Sequence, residues 1–390
     1  MSYDVQALRA REYPWTERGE TIYLNNASTG ALPLRAVRAA AEFTALRHEP
    51  SKLTDDIQFA VLRKSRGLIA RLIGASPHEI GCMVNTTYGL NLAARSLPLH
   101  PGDIVLSHDR EFPANVYPWM ALEHEGVHHV RIPYRDGLPD EEALLAALDR
   151  PGVRVLTTGW VSFATGFRAD LAAIGRACRA RGIFFVVDAM QGLGAATIDV
   201  KECQIDILAC GGQKWLLSPW GTGFVYVREE LVRELEPHAV GWMAMKAAED
   251  FTRLVDYEFE YLDDARRFEV ITVPFQDFAA FNASLEMLHE LGPAAVEEHI
   301  ASLIDEAVAW ALDRGDVRLV TPAARNRRAG IVSIAPRDPA AASARLTRAH
   351  VSHSLREGAI RLSPHCYNTL DEMRLGLEVL GGKPGKVSAS

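Results

Sequence analysis

The sequence predicts an α/β fold: a mainly parallel sheet with helices on both faces, plus a smaller α+β unit toward the C-terminus. Three observations carry that expectation. Short β-branched and aromatic runs, such as Phe184-Phe185-Val186-Val187 and Ile205-Asp206-Ile207-Leu208-Ala209-Cys210, have the continuous apolar character of strands buried on both faces. Between such runs lie segments whose apolar residues recur at helical spacing, the alternation that produces parallel sheets with right-handed crossovers. At 390 residues the chain has room for a large domain, expected over 21–284, and a small one assembled from 1–20 and 285–390.

The elements follow in order. Residues before about 20 read as a polar lead-in with Tyr13 and Trp15 as aromatic anchors, then Thr21-Ile22-Tyr23-Leu24 as a short strand. Asn25-Asn26-Ala27-Ser28-Thr29-Gly30 is a loop of small residues able to lie close to a ligand. Helices are expected from Leu34 to Leu46 and from Ile57 to Ile73, with Gly74 as the stop. Ile80 to Val84 reads as a strand that turns at Asn85-Thr86-Thr87 into a helix, whose unpaired N–H groups and hydroxyls make the best phosphate cradle in the chain. Further strands are expected at Asp103–Ser107, Val153–Thr158 and Phe224–Val227, with helices near Glu141–Leu148 and Leu171–Arg181. The polar stretch from Ala247 to Arg267 is expected on the surface, and a long helix from Phe275 to Leu291 ends at Gly292-Pro293. Beyond it come a helix (Val296 to Leu312), strands at 317–320 and 331–334, a helix at 340–350 and a strand at 359–363.

Composition narrows the function classes. The formal charge of -8 contains no basic block, so no nucleic-acid partner is indicated. The start has no charged n-region followed by an apolar segment, and no stretch has the length of a membrane span, so the expected location is the cytoplasm. Five scattered cysteines without a CxxC pair point to neither a disulfide framework nor a zinc site, and no metal is expected. Gly192-Leu193-Gly194 lacks the third glycine of a dinucleotide fingerprint, Thr197 standing in its place, and no Walker-type loop is present.

Two residues suggest the chemistry. The apolar run 184–187 delivers Asp188 to the carboxyl edge of the sheet, and the next strand's exit loop, Gly211-Gly212-Gln213-Lys214, delivers a lysine to the same edge. A lysine and an aspartate there suit pyridoxal 5'-phosphate (PLP), which needs an amine to carry it as a Schiff base and a carboxylate to keep its ring nitrogen protonated. Phe112, beside a proline at another strand's end, can stack on a flat ring.

With these residues in place, the chain resembles the class V aminotransferase family of PLP enzymes, which includes cysteine desulfurases, kynureninases and isopenicillin N epimerases. The motifs that carry the likeness are Asp188-Ala189-Met190-Gln191, Lys214, Asn85-Thr86-Thr87-Tyr88-Gly89-Leu90-Asn91 and Arg361-Leu362-Ser363-Pro364-His365-Cys366-Tyr367-Asn368-Thr369. The resemblance implies fold type I and a homodimer with shared active sites. It implies Lys214 and Asp188 as catalytic residues, Gln191 on the ring hydroxyl and Phe112 in the stacking position. Thr86, Thr87 and Gln213 would hold the phosphate, with Thr272 reaching the phosphate of the partner subunit. Arg361 would bind the substrate carboxylate, Arg356 being a second candidate, with Asn26 and Trp242 as further substrate contacts.

The departures bear on the reaction. Gly211 and Gln213 replace the Ser and His usual beside the lysine of cysteine desulfurases, and a neutral amide cannot shuttle protons as imidazole does. Phe163 stands where those enzymes have an Asn. Between Leu346 and Ala359 there is no cysteine to relay sulfur, and Cys366 comes after Arg361 rather than before it. The expectation is a PLP enzyme acting on a small amino acid by Cα deprotonation and β-elimination, a C–S lyase without a persulfide cysteine. Transamination or epimerisation is the alternative. A non-catalytic PLP-fold sensor would show a lost lysine or aspartate, or a fused DNA-binding module, and neither is seen.

Overall fold

The computed structural model describes residues 3–383. Its centre is a seven-stranded sheet in the order 80–83, 223–227, 207–211, 184–188, 153–159, 104–108, 128–132. The last five of these run parallel to one another, and Gly223–Val227 is antiparallel to both of its neighbours. Side chains alternate between two cores: Phe185 and Val187 pack into one, while Val186 enters the other. Both faces are covered, so every position of such a strand is apolar.

The helices Leu34–His48, Asp55–Ile73 and Phe275–Leu291 pack together on one side of the sheet. The second begins at Thr54, which caps Ile57 N, and ends at Gly74 in the left-handed region (φ 72°), as the sequence predicts. On the other side, Thr86–Ser96 contributes Leu90, Leu92 and Ala93 to the second core, with Trp119 wholly buried beside them. Burying an aromatic or aliphatic side chain of this kind stabilises by roughly 1.5–3 kcal/mol.

The C-terminal unit is an antiparallel sheet in the order 354–356, 359–362, 332–336, 317–319, with helices 293–312 and 339–348 against it and helix 370–380 packed on those two helices. The N-terminal segment is a helix, Val5–Glu12, and not only a polar lead-in. It docks on the C-terminal unit through Arg9, whose Nη1 lies 2.7 Å from Glu372 and 2.9 Å from the Tyr367 carbonyl. Ile22–Tyr23 pairs in parallel with Val351–Ser352, so contacts with the C-terminal unit continue past residue 21. No helix among the described residues is long and apolar enough to cross a membrane.

Candidate active site

The carboxyl ends of the strands converge. Asp188 closes its strand, paired with Gly159 on one side and Ala209 on the other. Gly211 closes the next strand, and the loop beyond it places Lys214 in the same pocket as Asp188, Phe112, Phe163 and Gln191. That loop is held from outside by the 25–30 segment, where Gly30 N donates to the Gln213 carbonyl at 2.9 Å. A Cβ on Gly30 would stand 1.9 Å from the Lys214 carbonyl oxygen, so glycine is required for this approach.

Burial dominates the electrostatics. It pulls the Lys214 amine down to about 8, opposed by Asp188 and reinforced by Arg361 and Arg356. It pushes the Asp188 carboxyl above the usual carboxylate range, opposed by the Met190 N–H at 2.9 Å and by the Lys214 charge. The Lys214 Nζ lies 5.4 Å from the centre of the Phe112 ring, which meets Phe163 edge-on at 5.3 Å.

Arg361 approaches from the C-terminal sheet. Its Nη1 donates to the Phe163 carbonyl and its Nη2 to Ser28 Oγ, each at 2.8 Å, while Nε is buried without a partner among the described residues. Burial, with Arg356 nearby, pulls the guanidinium down to about 10, which leaves it charged at neutral pH.

The other expected residues divide into two groups. Thr86 and Thr87 open the 86–96 helix behind Asn85, whose side chain caps Tyr88 N at 2.8 Å. Thr86 is buried with its hydroxyl accepting from Gly211 N at 2.8 Å, whereas Thr87 is exposed. Gln191 lines the pocket while it donates to the Ala27 carbonyl (3.0 Å) and accepts from Trp215 Nε1 (2.8 Å). Gln213 has a buried Oε1 without a partner among the described residues. Asn26 is wholly buried, its Nδ2 donating to the Ser363 carbonyl and its Oδ1 accepting from the Tyr367 hydroxyl, and Ser28, two positions on, is the loop residue that reaches Arg361. Trp242 and Thr272 are exposed and do not line their own chain's pocket, Trp242 resting on Phe251. Sequence reasoning missed Glu111, His108 and Tyr134 in the pocket wall. Glu111 could have been found, since it immediately precedes Phe112 just past the end of a buried strand.

The family model for aminotransferase class-V matches residues 22–374. The chain belongs to that family. Curated relatives of this class-V enzyme include an uncharacterized aminotransferase, YcbU, of Bacillus subtilis, 33% identical over 82% of this chain and 83% of the relative. Isopenicillin N epimerase of Streptomyces clavuligerus is 32% identical over 80% of each chain. Among solved structures, the apo cysteine desulfurase of Thermococcus onnurineus superposes with a TM-score of 0.86 at 24% identity, covering 97% of this chain and 98% of that one. The cystine C–S lyase C-DES, in complex with its reaction product cysteine persulfide, gives 0.85 at 22% identity, covering 93% and 97%. At such identities the likeness is one of fold.

PLP is the cofactor of this enzyme. The residues present fit it: an amine and a carboxylate share one pocket, an aromatic ring stands beside the amine, a helix N-terminus with two threonines lies at the same sheet edge, and Gln213 Oε1 has no partner among the described residues.

Proposed function

We propose that this enzyme removes the Cα proton of a small amino acid and then eliminates a sulfur-bearing or related group from Cβ. The observation that carries the reading is that Lys214 and Asp188 share one pocket while Arg361 is bonded to the carbonyl of Phe163 in that pocket's wall. PLP, when bound, supplies an electron sink for the carbanion at Cα. Lys214 is the attachment point and the base for the Cα proton, its lowered amine range suiting proton transfer near neutrality. Asp188 keeps a negative charge at the ring-nitrogen end, Phe112 walls the ring, and Thr86, Thr87 and Gln213 take the phosphate. Arg361 takes the substrate carboxylate, for which its unpartnered Nε is oriented by the bonds to Phe163 and Ser28.

A persulfide relay finds no support in the local structure. The segment before Arg361 is a helix end, a strand and a tight hairpin turned at Glu357-Gly358, with no cysteine in it. Cys366 is wholly buried, which pushes its thiol up and away from the reactive thiolate. A cystine C–S lyase among the structural neighbours is consistent with elimination, while the epimerase and aminotransferase names among the relatives keep racemisation and amino transfer as the alternatives.

The proposal includes a homodimer in the cytoplasm, with the large domain at 21–284 and the small one from 1–20 and 285–390. Trp220 (71% exposed), Val255 (74%), Tyr257 (87%) and Phe259 (78%) leave apolar side chains uncovered on one chain, and Thr272 is free to reach a partner's phosphate. Sedimentation of the purified protein tests the dimer. Incubation with cysteine conjugates, assaying pyruvate, racemised substrate and pyridoxamine phosphate, tests the reaction. Pyruvate release supports elimination, and its absence from every conjugate overturns it.

A further inference from the structure

Glu111 lines the pocket, yet no step above uses it. It stands one residue before Phe112, and its carboxylate accepts the Gly159 N–H on both oxygens, at 3.0 and 2.9 Å. Thr158 Oγ1 adds a bond at 3.2 Å and Asn115 Nδ2 one at 3.3 Å. Asn115 is itself fixed by the Thr157 hydroxyl at 2.6 Å. Gly159 is the residue paired with Asp188 across the two strands, so the Glu111 carboxylate ties the Phe112 loop to the strand beside Asp188. The tie matters because Phe112 is 44% exposed and little packing holds its ring in place. All four of these bonds come from neutral donors, so nothing in that shell cancels the charge Glu111 carries.

We propose that Glu111 is a positioning residue that holds the Phe112 ring against the PLP site and adds a second negative charge at the Asp188 end. The proposal rests on PLP lying between Phe112 and Asp188. The ionisable groups around Glu111 are His108 at the end of the preceding strand, Asp109 and Arg110 from its own loop, Tyr134 from the facing loop, Asp188 from the strand two places along the sheet and Lys214 across the pocket. Burial, with repulsion from Asp188, pushes the Glu111 carboxyl up to about 7. The anchor is therefore charged above that pH and neutral below it.

The test is the visible circular dichroism of the PLP-loaded enzyme, titrated from about pH 6 to about pH 9. The wild type should show a change in the cofactor band with a midpoint near 7, where burial places the Glu111 carboxyl. Glu111→Gln, which keeps an acceptor for Gly159 but cannot ionise, should lose that midpoint and retain most of the band. Glu111→Ala should weaken the band and raise the apparent Kd for PLP about tenfold. Gly159→Ala gives an independent route, because its Cβ would lie 2.9 Å from Glu111 Oε2 and push the carboxylate off its site. It should reproduce the Glu111→Ala phenotype. A wild-type titration curve persisting in Glu111→Gln overturns the charge role. Unchanged PLP affinity in both alanine variants overturns the positioning role. Phe112→Ala separately tests the cofactor placement: an unaltered cofactor band there overturns the premise that the ring lies against PLP.

Discussion

Replacing Arg361 with alanine tests the substrate reading directly. The guanidinium is fixed by 2.8 Å bonds to the Phe163 carbonyl and Ser28 Oγ, with a buried Nε that no group among the described residues satisfies. Two charge-assisted hydrogen bonds to a carboxylate, each worth roughly 1.5–3 kcal/mol, come to about 3–6 kcal/mol. That corresponds to a fall of about 10²- to 10⁴-fold in kcat/KM for an amino acid substrate. The corresponding amine, which lacks the carboxylate, should lose less than about threefold. Arg361→Lys should fall between wild type and alanine, because an ammonium keeps the charge and loses the fork. Since the guanidinium loses its proton only as pH rises through about 10, the effect should be constant across the neutral range. The assay is kcat/KM for the amino acid and amine pair, with thermal melts confirming that each variant is folded. Equal losses on both substrates would refute the carboxylate role and show that Arg361 serves to hold Ser28 and Phe163.

Lys214→Ala should lower turnover by at least about 10³-fold and abolish borohydride fixation of the cofactor to the protein; unchanged activity would sink the assigned role. In cofactor-free protein, the buried amine near 8 is protonated below that pH and nucleophilic above it. PLP capture should therefore accelerate as pH rises through about 8 and then level off, and a rate still climbing steeply toward pH 10 would mean that the amine is not depressed. Arg66→Met removes one partner of a buried ion pair, in which Arg66 Nη2 lies 2.7 Å from both Glu269 oxygens while Cys82 N donates to the same carboxylate at 2.8 Å. Urea unfolding should show a loss of about 3–5 kcal/mol, and a loss below about 1 kcal/mol would mean that the pair is not structural.

Particular elements show how far the sequence could be read. The strand 184–188 was legible because both its faces are buried, so Phe185, Val186 and Val187 are all apolar. The edge strand His128–Ile132 is not legible: its exposed and buried positions follow no two-residue period, and it carries two histidines and an arginine. The helix Val5–Glu12 was also missed, because Arg9 and Glu12, two of its three buried residues, are ionic and give no apolar period. Their burial makes sense only with Glu372 and Arg35 in place, far along the chain or on another helix. Leu370–Leu380 went unassigned as well, although Thr369 and Glu372 form a capping box at its start.

The sequence by itself determined the alternation of buried strands and helices, and with it a lysine and an aspartate at one sheet edge. Local hydrophobic patterning encodes those features, since each strand's burial is written into its own residues. Only the tertiary structure decided which distant groups meet there. Arg361 meets the pocket wall because the C-terminal sheet lays it against Phe163 and Ser28, and the Asn26 amide is bonded to Ser363 and Tyr367, more than 300 positions along the chain. Glu111 became a pocket residue because the strand ending at Gly159 lies between its own strand and that of Asp188. Such contacts depend on strand order and on loop closure across long sequence separations, which no local pattern records.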